Sequence, residues 1–166
     1  MKQFAEWLST TGPSVFIQTN NSWAIPLIQS IHIIGIAVVF GSIFLMDLRI
    51  LGLAGMDQSL RQTNSRYGPW MTGSLWLLLV TGVLMVIGEP VRELVTFSFW
   101  LKMALIVLGT IIAAIFRVSL RNDSLTARGS VKAMAVFTLL IWATIIVLGR
   151  LIAYDQVWGS WSPAAA

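Results

Sequence analysis

The sequence predicts an all-α integral membrane protein, a bundle of four transmembrane helices preceded by an N-terminal amphipathic interfacial helix. Two observations predict it. Of 166 residues 57% are hydrophobic and only 11% charged, with a mean hydropathy of +0.81, whereas a soluble domain carries roughly 25% charged residues. The apolar residues are also gathered into four runs, 23–46, 69–88, 97–116 and 131–154. Each suffices for a hydrocarbon core about 30 Å thick, which takes about 20 apolar residues per crossing. Helices are the form expected, because a chain in lipid must satisfy its own backbone hydrogen bonds.

Residues 1–22 precede the first run and are too short and too interrupted to cross. Phe4, Trp7 and Leu8 share a helical face, Gly12 and Pro13 make a break, and Val15 and Phe16 follow. That pattern predicts a half-immersed helix on the membrane surface. Met1 and Lys2 lead into polar-interrupted sequence, unlike a cleaved signal, so the first span is expected to direct insertion. The bundle is expected over 23–157 and a frayed tail over 158–166. Trp23, Tyr67, Trp70, Trp100, Tyr154, Trp158 and Trp161 fall at the predicted span ends, where amphipathic rings prefer the headgroup layer.

Charge sets the expected orientation. The connection between the first two spans holds Asp47, Arg49, Asp57, Arg61 and Arg66; that between the last two holds Arg117, Arg121, Asp123 and Arg128, with Lys132 just beyond. The other side carries Lys2, Glu6, Glu89, Arg92, Glu93 and Asp155. The positive-inside rule puts the arginine-rich side in the cytoplasm and both termini outside it. The formal charge of +4 and pI of about 10.1 then read as topology and lipid contacts, not as a nucleic-acid surface. With no cysteine, thiolate metal sites, iron–sulfur clusters and covalent c-type haem are excluded. No Walker loop, zinc-binding pair or nucleophile–base constellation is present, which argues against hydrolysis and nucleotide chemistry.

His32 is the one histidine and lies roughly 13 Å inside the first span. Two readings stand: an imidazole hydrogen-bonding a neighbouring helix, or the axial ligand of a b-type haem. His32, Gly35, Val39, Ser42 and Met46 form one helical strip. Gly35 removes bulk one turn from the ring, for a flat porphyrin or for close helix packing. Gln29, one turn above, is a candidate partner for a ring substituent or a quinone carbonyl, or else a satisfied polar core residue. Lys102 lies roughly 8 Å into the third span from the same side, either snorkelling to the headgroups or pairing with a propionate or an acidic substrate. Arg150, two turns beyond Trp142 on a similar face, is a propionate clamp or an interfacial anchor. Arg49, roughly 25 Å from His32 along the helix, serves topology, packing or a cytoplasmic contact.

The segment 29–49, QSIHIIGIAVVFGSIFLMDLR, resembles a group of bacterial four-helix membrane proteins of unknown function. It is more distantly similar to the first helix of haem-binding membrane protoporphyrinogen oxidases and of copper-resistance D-type proteins. The stretch 100–108, WLKMALIVL, is similar to a third-helix motif of the oxidases. The resemblance implies His32 as haem ligand and Lys102 as a second site residue. The longer first cytoplasmic connection and the amphipathic start depart from the oxidase pattern.

The expectation is a membrane cytochrome that binds haem b through His32, with quinone as a further candidate ligand, and exchanges electrons between quinol and an outer-side redox partner. One histidine supplies one axial ligand, so the iron is five-coordinate, bound also by Met or Lys102, or shared across a homo-oligomer. A haem-dependent oxidase, a haem-free scaffold and a metal permease are the alternatives, and whether the chain is an enzyme stays open.

Overall fold

The computed structural model describes the backbone of residues 1–121 and 129–152, and the side chains of 1–116 and 129–152. The loop charges Asp123 and Arg128, the residues Tyr154, Asp155, Trp158 and Trp161, and the tail lie outside the described residues, as do the side chains of Arg117 and Arg121. Every regular element among the described residues is a helix: α1 (Lys2–Ser9), α2 (Gly12–Thr19), α3 (Ala24–Leu51), α4 (Leu60–Gly88), α5 (Pro90–Leu94), α6 (Phe97–Arg121) and α7 (Gly129–Leu151). The four long ones, α3, α4, α6 and α7, are long and apolar enough to cross a membrane.

The short N-terminal helices end for local reasons. The hydroxyls of Ser9, Thr10 and Thr11 donate back to the carbonyls of Glu6, Trp7 and Leu8, satisfying groups that the last turn of α1 leaves open. Pro13 then sits in the first turn of α2, where its missing N–H costs nothing. Ala5 is fully buried with Leu94, Phe99 and Ile152, which pins α1 onto α5. Ile17 anchors α2 on α4 at Gly88, where a Cβ would lie 2.9 Å from its Cγ2. Phe4, Trp7 and Phe16 stay exposed on these helices, as does Trp23 at the start of α3, a surface suited to the boundary between headgroups and acyl chains.

The α3 helix buries the stripe Gly35, Val39, Ser42, Ile43, Met46, Asp47 and Ile50. It runs on through Asp47 and Arg49 and stops at Gly52, whose φ of 79° takes the left-handed cap that glycine adopts without strain. The α4 helix starts upstream of its apolar run. Ser59 Oγ accepts from the Gln62 amide at 3.1 Å and Gln62 Oε1 accepts from the Ser59 amide at 2.8 Å, a reciprocal capping box. The connection between the first two spans is thereby only the loop 52–59, and Pro69 stands inside the helix, as lipid-embedded helices tolerate.

Neighbours in the bundle are α3 with α4, α4 with α6, α6 with α7, and α7 with α3, which closes a ring of four. Two pairs of contacts fix the registers. His32 meets Thr81 and Gly35 meets Leu78 across α3 and α4; Lys102 meets Gly149 and Gly109 meets Trp142 across α6 and α7. The core is filled by Val39, Ile43, Met71, Ile112, Phe116 and Trp142, among others. The outward surface carries large apolar side chains such as Ile33, Phe44, Trp76, Leu79, Val107 and Leu140. An apolar exterior this continuous has lipid as its solvent, so the chain is a multi-pass membrane protein.

Candidate ligand site around His32

The site lies at the end of the bundle that bears α1, α2 and α5. His32 enters it from α3, eight residues past Ala24, about 12 Å from the helix start at 1.5 Å per residue. Its Nδ1 is 2.7 Å from Thr81 Oγ1 on α4. The Thr81 hydroxyl has one proton, and it is directed at the Leu77 carbonyl, 2.7 Å away. With that proton on Leu77, the hydroxyl accepts from Nδ1–H and the lone pair lies on Nε2; in the other tautomer Thr81 donates to Nδ1. A second group that fixes tautomer and ring orientation is what a ligating histidine ordinarily has. Gly82 follows Thr81, and a Cβ there would stand 3.7 Å from His32 Cε1, so that edge of the ring faces no side chain from this position.

Lys102 enters from α6 and is half-buried. Its ammonium lies 5.4 Å from the Phe99 ring centroid, within cation–π range. Its aliphatic stem passes Gly149 on α7, where a Cβ would be 3.8 Å from Lys102 Cδ. Lys102 interacts electrostatically with both His32 and Glu93. Glu93, on α5, is 5% exposed. Burial pushes its carboxyl above the ordinary glutamate range, and the charges of Lys102 and Arg92 oppose that rise. Arg92 itself is held by Glu89, at 2.8 and 2.9 Å to its two carboxylate oxygens.

The remaining residues singled out in the sequence separate into two groups. Gln29 is half-buried one turn nearer the start of α3, and Arg150 is exposed next to Gly149, both toward the same end as His32. Gly35 and Trp142 belong to the helix packing. A Cβ at Gly35 would lie 2.9 Å from Leu78 Cδ2, so the space the glycine leaves is taken by Leu78. Trp142 is 3% exposed against Gly109, and its Nε1 has no hydrogen-bond partner. Arg49 is at the far end, where Nε donates to the Gln58 carbonyl at 2.7 Å. An open apolar groove of about 540 Å³ lies between α2, α3 and α4. Its lining includes Phe16, Ile17, Trp23, Ile28 and Leu84; Ile28 and Leu84 are one helical turn from His32 and Thr81.

Thr81, Gly82, Glu93 and Gly149 were not evident as site residues from the sequence. A threonine or glycine in an apolar run carries no local sign of its partner, and Glu93 reads as a loop charge. Among the described residues, no three His, Cys, Asp or Glu side chains converge as an all-protein metal site.

A family model for a family of unknown function, DUF6644, matches residues 4–155. The chain belongs to DUF6644. No curated protein and no solved structure matches it. The match includes α1 and α2 as well as the four spans, so in this DUF6644 chain the surface helices are part of the family domain.

This end of the bundle thus gathers the imidazole, a glycine beside its ring edge, and the cationic side chains of Lys102 and Arg150.

Proposed function

We propose that the protein is a b-type haem-binding redox protein of a bacterial inner membrane, with His32 Nε2 as axial ligand and both termini in the periplasm. The observation that carries this reading is the chain of hydrogen bonds from Nδ1 of His32 to Thr81 to the Leu77 carbonyl. In the tautomer where Thr81 donates to Leu77, Nδ1 carries the ring proton and Nε2 is the atom offered to a metal. The resemblance of 29–49 and 100–108 to the membrane protoporphyrinogen oxidases supports the same assignment.

Bound haem would supply one-electron chemistry. The residues of the chain bind and orient: Thr81 fixes the imidazole, Lys102 and Arg150 offset carboxylate charge, and the lipid-exposed span surfaces exclude water. Quinol is the proposed reductant and an outer-side partner the oxidant. The groove lined by Phe16, Ile28 and Leu84 suits the apolar tail of such a reductant. A single ligand per chain leaves the other axial position to Lys102, to a methionine, or to a second subunit in a homo-oligomer. The close variant is a haem-dependent oxidase resembling protoporphyrinogen oxidase.

Two contacts favour a second reading. The Thr81 bond and the seating of Leu78 in Gly35 both tie α3 to α4, which is what a haem-free scaffold needs of His32. The absorption spectrum of protein purified without boiling from haem-sufficient cells separates the two. A Soret band that disappears in His32→Ala supports the cytochrome, and a colourless wild type supports the scaffold.

A further inference from the structure

Far from His32, at the end of the bundle that holds the loop 52–59, a carboxyl group is buried without a counter-charge. Asp47 is 3% exposed on the inward stripe of α3, and its Oδ2 has no hydrogen-bond partner. The cation nearest in sequence is committed elsewhere: Arg49 donates Nε to the Gln58 carbonyl at 2.7 Å and one terminal nitrogen to Met56 Sδ at 3.6 Å. On α4, packed against this stretch, Arg61 and Arg66 are exposed and Arg66 lies over the Tyr67 ring, 5.7 Å from its centroid. Asp57 in the loop and Lys132 at the start of α7 are exposed. Among the described residues, none of these makes an ion pair with Asp47.

A second orphan stands on the neighbouring helix. Asn64 Oδ1, on α4, is also buried and also without a partner. The α3–α4 register that joins His32 to Thr81 and Gly35 to Leu78 brings Asn64 opposite Arg49. Asp47 and Asn64 thus share a level of the interface to within two residues, about 3 Å of helix rise. Both orphans are oxygens, and an ionised carboxylate and an amide carbonyl are acceptors only. Two buried acceptors at one level of an interface, each without a donor, are unfavourable, and an unpaired carboxylate in a low-dielectric interior is more so. One added proton resolves both.

We propose that Asp47 is a proton-binding site, its Oδ2 carrying a proton that it donates to Asn64 Oδ1 across the α3–α4 interface. The site holds a neutral acid where the bundle meets its first connecting loop. Losing the proton leaves a charge with no partner between two helices and favours opening of that end. The inference stands on α3 and α4 alone and is independent of any ligand at His32.

Infrared spectroscopy of the full-length protein in lipid vesicles at neutral pH tests it. The wild type minus Asp47→Asn difference spectrum should contain a protonated carboxylic-acid C=O band that shifts in D₂O. Asn64→Val should move that band to the higher frequency of a free acid. Asp47→Asn, whose amide can donate to Asn64 as the acid does, should keep the wild-type unfolding midpoint, whereas Asp47→Ala should lower it. Absence of the band overturns the proposal, because an ionised Asp47 accepting from a rotated Asn64 amide gives none. Equal loss of stability in both Asp47 variants, or wild-type stability that depends on sodium in place of pH, overturns it as well.

Discussion

Thr81→Val keeps the volume of the side chain and removes the one atom that His32 Nδ1 contacts at 2.7 Å. In a soluble interior, a donor left without its acceptor costs about 1–3 kcal/mol. Between membrane helices the measured couplings are smaller, about 0.6 kcal/mol on average and about 1.7 at most. Thr81 is buried and the imidazole half-buried, and the bond is short, so the coupling should fall in the upper part of the membrane range, near 1 kcal/mol. The threonine also donates to Leu77, and losing that bond affects Thr81→Val alone. A double-mutant cycle removes this contribution: wild type, His32→Ala, Thr81→Val and the double variant are unfolded reversibly in mixed micelles. The two substitutions should be non-additive by about 1 kcal/mol, roughly five-fold in the unfolding constant, and Thr81→Ser should retain most of the stability. Additivity within about 0.3 kcal/mol would refute the claim that this bond holds the imidazole.

Three further outcomes follow from the packing and the charges. Gly35→Ala brings a methyl to 2.9 Å from Leu78 Cδ2, the far end of a side chain that can turn. It should cost about 1 kcal/mol, and the β-branched Gly35→Val about 3, both read from denaturation midpoints. Ser59→Ala removes the acceptor of the Gln62 amide and should cost about 1 kcal/mol, with amide exchange rising first at the start of α4. Glu93 has its carboxyl raised chiefly by burial, so the fold disfavours its ionised form. The protein should lose stability as pH climbs from the ordinary glutamate range through the raised value. Glu93→Gln should flatten that slope in a Tm-against-pH series, and an unchanged slope would contradict the burial argument.

The four spans were legible because lipid imposes a length and a composition on any crossing, and both are properties of a single run of residues. The start of α4 follows Ser59 and Gln62 at capping-box spacing, whereas the apolar run that marks the span begins only at Pro69. The site was legible only where a residue is unusual in itself. His32 and Lys102 stand out against apolar neighbours, whereas Thr81 becomes a partner only through a register spanning forty-nine residues. Gly35 shows the same limit. A missing side chain is visible in the sequence, but what enters the space, here Leu78, depends on the facing helix. Asp47 reads as the first residue of a polar connection, and it is buried because α3 continues past it to Gly52.

The ligand role of His32 is tested most directly by replacing the ring with a diffusible copy of itself. Purified His32→Gly, supplied with haem, should lack the wild-type Soret band and regain it when imidazole is added. A wild-type spectrum in His32→Gly without imidazole would contradict the assignment of Nε2 to the iron.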